Sequence, residues 1–193
     1  YAVAERPLSF TGEDFDVHSC DDGGLSHRVR GAMLHLPGKD KMVITDAKSG
    51  ETSGAVERKL IALKATYDIL DHSGAKTGWI EKKIVGMGML TDTFEVFDEF
   101  GKRGIIGALG QESPKYYITG NFVDRNFVFR RCDNDDAVAK VVMDGLFPFD
   151  SFDHYQVQVA PGMDSVLVLA CVCALDEEFD QEHQKRKEEE RKK

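Results

Sequence analysis

The chain has 193 residues, with 34 acidic against 25 basic side chains and a formal net charge of −9. That length suits one domain with an extension, and 41% hydrophobic content is enough for a sizeable core, which excludes disorder throughout. The acidic balance, with no arginine-rich segment, argues against broad nucleic-acid binding and leaves room only for a local basic patch.

Residues 1–14 read as an N-terminal arm. From Phe15 to Ala160 the sequence is a series of short alternating runs separated by Asp, Gly and Asn. Predicted strands include His27–Leu34, Lys41–Thr45, Thr66–Leu70, Thr93–Phe97, Asn126–Arg130 and His154–Val159. In each, apolar residues recur at every second position, which gives half-buried antiparallel strands. A weak internal repeat reinforces this. Asp46, Asp71 and Asp98, spaced 25 and 27 residues apart, each end a strand and open a glycine-containing turn before the next run. The runs that follow are Ala55–Ile61, Gly78–Val85 and Gly104–Gly107, and Asn126–Met143 looks like a further copy with Cys132–Asp136 as its turn. A meander of hairpins is expected, with Trp79 in the core.

After Pro161 and Gly162 the pattern changes. Asp164 and Ser165 are N-cap residues for a helix over about 164–183. Its first part, Val166 to Leu175, is apolar on every side, then it turns acidic from Asp176 to Glu182. The apolar run is β-branched enough for a strand, but its passage into a polar stretch without Gly or Pro favours a helix. At ten residues it falls short of the ~20 that a membrane-spanning helix needs. A helix that is hydrophobic all round must be enclosed, and beside many antiparallel strands the natural enclosure is a closed barrel, which also removes exposed edges. The expected domain therefore spans 15–183, followed by a charged extension, residues 184–193, that has no apolar side chain and two i,i+4 pairs, Glu188 with Lys192 and Glu189 with Lys193.

No catalytic constellation emerges. Cys20, Cys132, Cys171 and Cys173 make no disulfide framework, and Cys171 with Cys173 lacks zinc-ligand spacing. This cysteine usage points to an intracellular, reducing compartment, the cytoplasm or an organelle entered with loss of a leader. Gly31–Lys39 is too long for a phosphate-cradling loop and has Asp40 where a magnesium-binding Ser or Thr belongs. Gly86 and Gly88 lack the third glycine of a dinucleotide fingerprint. Gly101, Gly104, Gly107 and Gly110 read as allowing a bulge or close packing. His18, His27, His35 and His72 sit on predicted strands or turns with no nucleophile elbow nearby, and His18 with Cys20 reads as an edge-strand pair. No metal or cofactor is implied.

The C-terminal segments Phe149–Asp164, Ser165–Ala174 and Leu175–Asp180, the Asp–Gly hairpins, and the basic steps Glu57–Lys59 and Glu81–Lys83 together resemble the LURP-one-related family. The resemblance covers roughly Phe15 to His183. Relatives of that family include the phospholipid scramblases and the tubby C-terminal domain. It implies a mainly β fold, a closed twelve-stranded antiparallel barrel around a central hydrophobic C-terminal helix. Tubby domains bind phosphoinositides through a surface Lys/Arg pocket, and scramblases are associated with lipids and calcium. This chain has neither a D-x-D-x-D-G loop nor a cysteine-rich, proline-rich leader, so calcium is not supported.

Binding is the function that remains. Arg58, Lys59, Lys82, Lys83, Lys102, Arg103, Arg130 and Arg131 form four doublets on hairpin strands, and alternation sends one member of each outward, which makes them candidates for an anionic lipid headgroup and a membrane-peripheral location. Lys185, Arg186, Lys187 and Arg191 in the C-terminal extension are candidates for docking a protein partner. The leading expectation is a non-enzymatic scaffold or binding module in a larger assembly.

Overall fold

Twelve strands and one helix follow one another in the computed structural model, which describes residues 1–5, 14–31, 41–59, 62, 64–85, 89–99, 113–122, 124–143 and 154–191. The strands are β1 (Ala2–Glu5), β2 (Phe15–His18), β3 (Leu25–Gly31), β4 (Lys41–Asp46), β5 (Thr52–Arg58), β6 (Thr66–Asp71), β7 (Lys76–Val85), β8 (Met89–Asp98), β9 (Tyr116–Asn121), β10 (Asn126–Arg131), β11 (Ala137–Met143) and β12 (His154–Val159); α1 is Ser165–Arg191. Each strand pairs antiparallel with its sequence neighbours, and β1 closes the ring against β12. Gly104–Gly107, His35, the Gly31–Lys39 loop beyond Gly31, and the glycines at 101, 104, 107 and 110 lie outside the described residues.

The Asp–Gly turns form as the repeat implied. Asp46 Oδ1 accepts the backbone N–H groups of Lys48 and Ser49 at 3.0 and 2.7 Å, and Asp71 Oδ1 accepts those of Ser73 and Ala75 at 2.8 and 3.0 Å. Gly50 and Gly74 then take φ of 74° and 82°, the left-handed conformation that closes each hairpin. The expected arm behaves differently. Val3 pairs with Val17 on one side and Tyr155 on the other, and Tyr1 exchanges two backbone hydrogen bonds of 2.7 Å with Val157. So short a run carries too few alternations to announce itself; closure of the ring makes it a strand.

Register turns the alternation into an inner and an outer face. Phe15, Val29, Ile44 and Gly54 stand opposite one another across successive strands on the inner face. On the outer face Trp79 opposes Phe97. That pair stacks at 4.8 Å beneath the Lys76 ammonium, which lies 4.8 Å from the indole, and neither ring belongs to the central core. Trp79 is therefore buried as expected, but outside the barrel wall.

The core is the helix and the wall around it. Asp164 caps α1 by accepting the N–H groups of Val166 and Leu167 at 2.9 and 3.2 Å. Val168 through Leu175, more than two turns of helix, are each at most 4% exposed. Consecutive residues point in every radial direction, so this burial requires wall on all sides. Filling the barrel with Val168, Leu169, Val172 and Leu175 contributes about 1.5–3 kcal/mol for each side chain. Among the described residues, inward positions are mainly apolar, with His27, Arg58 and Lys82 as exceptions, and Met143 alone is a large exposed hydrophobic. No described helix is long and apolar enough to cross a membrane.

Two inward residues mark tight fits. A Cβ on Gly54 would come within 2.8 Å of Val166 Cγ1 and 3.1 Å of the Leu70 carbonyl oxygen, so the wall is hollowed where the helix enters. Gly54→Ala should lower stability by about 1–3 kcal/mol in chemical denaturation, with part of the loss recovered by Val166→Ala in the same chain. His27 is buried, with Ser26 Oγ 2.9 Å from its Nδ1 and the Tyr1 ring edge-on at 6.1 Å. Burial pulls its pKa below the ordinary 6.5, against the opposing pull of Asp46. The folded state thus binds this proton less readily than the unfolded chain, so the stability involved is present above about pH 6.5 and is lost as pH falls through the folded value. His27→Gln should reduce the fall in urea midpoint between pH 7 and pH 5; an unchanged slope would remove His27 from that dependence.

Candidate functional site

Where α1 leaves the barrel, the wall changes from apolar to charged. Arg58 ends β5 on the inner face, Tyr67 opposes it on β6, and both reach Glu178 of the helix: the Tyr67 hydroxyl donates to Glu178 Oε2 at 3.1 Å, and Arg58 Nη2 lies 3.5 Å from the same oxygen. Burial, then the Glu178 charge, push the Tyr67 hydroxyl far upward, so it remains a neutral donor. On another side of the helix Arg125, in the β9–β10 turn, meets Asp176 Oδ1 through Nε at 2.9 Å and Nη2 at 2.8 Å, with its guanidinium 5.4 Å from the Tyr155 ring. Arg125 has φ of 45°, a left-handed backbone that costs a residue with a Cβ about 1–2 kcal/mol. Between these pairs Lys82 is 5% exposed, its ammonium 5.8 and 5.9 Å from the rings of Phe94 and Phe179. Phe179 in turn stacks on Phe122 at 5.1 Å. The acidic run from Asp176 to Glu182 thus includes two carboxylates, Asp176 and Glu178, held by wall arginines.

The basic doublets split as alternation requires. Arg58 and Lys82 face inward at this collar. Outward, Lys59 lies 3.2 Å from Asp68, Lys83 2.9 Å from Glu95, and Arg130 3.7 Å from Asp135. Arg131 is half-buried and its backbone pairs across the β10–β11 turn with Asp135 and Asp136. Lys102 and Arg103 lie outside the described residues. Lys185, Arg186 and Lys187 fall on the backbone of α1, and Arg191, at its end, is exposed. The doublets described are distributed between interior and wall and do not converge on one patch.

A groove of about 470 Å³ lies on the outer wall instead. Thr93 and Glu95 of β8 stand opposite Thr119 and Tyr117 of β9, and Lys83, Pro114 and Cys132 complete the lining. The Tyr117 hydroxyl donates to Asp135. Burial first, then the Glu95 charge, raise the pKa of the Cys132 thiol, with Lys83 opposing, so the sulfur stays protonated and is a poor nucleophile. Sequence reasoning picked out Lys83 and Cys132 separately. It missed Thr93, Glu95, Tyr117 and Thr119, whose neighbourhood depends on the β8–β9 register.

Among the described residues, the other thiols and His18 divide between enclosed and exposed positions. Cys171 and Cys173 are fully enclosed in the helix and burial raises both thiols. His18 Nδ1 lies 3.3 Å from the Gly23 carbonyl oxygen in its own hairpin, and the nearby Cys20 is exposed. Among the described residues no group of three or more His, Cys, Asp or Glu is placed to hold a metal.

A model of the LURP-one-related family matches residues 1–176. The chain belongs to the LURP-one-related family. An X-ray structure of a protein from Arabidopsis thaliana is similar to this LURP-one-related chain with a TM-score of 0.60 at 17% identity, covering 91% of this chain and 89% of the other; at that identity the likeness shows the fold. A search of curated proteins finds no match. The LURP-one-related barrel is thus closed and filled by its own helix, and the collar anchors that helix.

Arg125 and Asp176 are only 14% and 10% exposed, so removing one partner strands a largely buried charge. Arg125→Met should lower stability by about 3 kcal/mol, and Arg125→Met with Asp176→Leu should recover most of it. Equal losses in the single and double variants would show that the pair is not what the arginine contributes.

Proposed function

We propose that this chain is a non-enzymatic binding module, a protein-interaction subunit of a larger assembly. The observation that carries this reading is the two-part character of α1. Its apolar half is consumed as the core and fills the barrel axis among the described residues. Its remainder, from Asp180 to Arg191, has no apolar residue and continues for roughly 18 Å, ending in exposed Glu189, Glu190 and Arg191. A polar helix of that length is marginal alone; continuous with a fixed plug, it is a prealigned rod whose Lys185, Arg186, Lys187 and Arg191 suit an acidic surface on a partner. The exposed cysteines Cys20 and Cys132 are both free, which fits a reducing intracellular setting.

Peripheral binding of phosphoinositide or another anionic lipid, as in tubby-type domains, has less support. Lys59, Lys83 and Arg130 each lie beside a carboxylate, so an anionic headgroup would have to compete for them.

Retention of bound proteins by the tagged full chain, compared with a chain ending at His183, tests the first reading. A defined set of proteins should be lost on truncation and on the triple change Lys185→Glu, Arg186→Glu, Lys187→Glu; identical sets from all three would refute it. Flotation with phosphatidylcholine vesicles and with vesicles containing phosphoinositide should be equally poor. Salt-sensitive flotation with the second kind alone would transfer the function to lipid.

A further inference from the structure

On the outer wall Glu81 of β7 and Glu95 of β8 occupy directly opposed positions. Like charges in register across two strands are destabilising, and these carboxylates are only 17% and 16% exposed. Each draws a lysine. Lys64 Nζ lies 2.6 Å from Glu81 and is 25% exposed, whereas Lys83 Nζ lies 2.9 Å from Glu95 and is 45% exposed. Glu95 is therefore held by the more solvated of the two cations, and Glu95 is the carboxylate that lines the groove.

Across the strand pair Tyr117 stands beside Glu95, its hydroxyl given to Asp135. That leaves the phenol ring as a wall, with Thr93 and Thr119 as neighbouring hydroxyls. Asp133 adjoins Cys132 at the rim, and both Asp133 and Glu95 act on the thiol in the direction opposite to Lys83. Among the described lining residues Glu95 carries the negative charge and Lys83 the positive one, Arg130 stands opposite Tyr117 and lies beside Asp135, and the chain as a whole has a net charge of −9.

We infer that this groove receives an arginine side chain of a partner protein, its guanidinium replacing the Lys83 ammonium at Glu95 and lying against Tyr117. A planar fork can give a carboxylate two parallel N–H bonds and still donate to threonine hydroxyls, which a lysine cannot match in geometry. Its flat face suits an aromatic wall. About 470 Å³ accommodates the side chain with flanking backbone, and the chain's net charge draws basic partners inward. The assignment rests on the reading of the chain as a protein-interaction module and names the chemistry of one contact.

The probe is an N-acetylated, C-amidated tetra-arginine peptide, titrated against the full chain carrying Cys20→Ser, with protection of Cys132 from alkylation as a second readout. Glu95→Gln should weaken binding about fivefold or more, Lys83→Met should tighten it, and a tetra-lysine peptide of equal charge should bind about fivefold more weakly. Glu51→Gln, an exposed change on the β4–β5 turn, should leave the affinity unchanged. Circular dichroism confirms that each variant is folded, and the Lys83→Met gain cannot arise from misfolding. No binding, equal affinity for both peptides, an equal loss from Glu51→Gln, or loss of affinity in Lys83→Met would each overturn the site. Truncation at His183 leaves the groove intact. Arginine selectivity that fails while C-terminal retention holds therefore sinks only this site, and the reverse outcome sinks only the role of the helix.

Discussion

Val168 to Leu175 form more than two turns of helix with no side that water can occupy, and this constraint organises the molecule. A single sheet face covers one side of a helix, and two packed sheets leave edges. A ring of strands covers every side and pairs every edge, and β1 against β12 supplies the last pairing. The wall answers the helix in detail: inward positions are mainly apolar, and the wall is cut down to Gly54 where Val166 presses against it. The helix occupies the barrel axis, and the proposed binding role is accordingly placed on the outer face and on the end of α1.

Apolar packing alone would set neither the depth nor the rotation of such a plug, since one greasy turn resembles the next. The charged collar supplies both. Residues 176 and 178 are two positions apart on a helix of about 100° per residue, so their carboxylates point to nearly opposite sides. There they meet Arg125 from the β9–β10 turn and Arg58 with Tyr67 from β5 and β6. Sliding the helix by one turn would bury these carboxylates against rings and strand a guanidinium on each side. The same collar marks the boundary within α1 between the enclosed plug and the charged stretch that follows it.

Membership of the LURP-one-related family accounts for the fold and is silent on the occupant of the outer wall. In the proposed reading the groove over Glu95 and Tyr117 takes a basic side chain and the end of α1 meets an acidic face. A module with both would hold a partner by two complementary contacts, and the barrel between them would fix their separation.

Local chemistry was legible in the linear chain: the Asp–Gly turns at Asp46 and Asp71, the alternation of the strands, the Asp164 cap, and the enclosed helix after it. These depend on neighbours within a few positions, and hydrogen bonds to a turn or a period of two carry their own signature. Pairing across strands decided the rest. It made Ala2–Glu5 a stave of the wall and turned Trp79 outward onto Phe97. It drew Arg58 and Lys82 into the interior while Lys59 and Lys83 stayed on the wall, and it set Glu95 beside Tyr117. Register shifted by one residue would exchange every inner and outer side chain of a strand, and only closing the ring around a helix of a given girth selects one register.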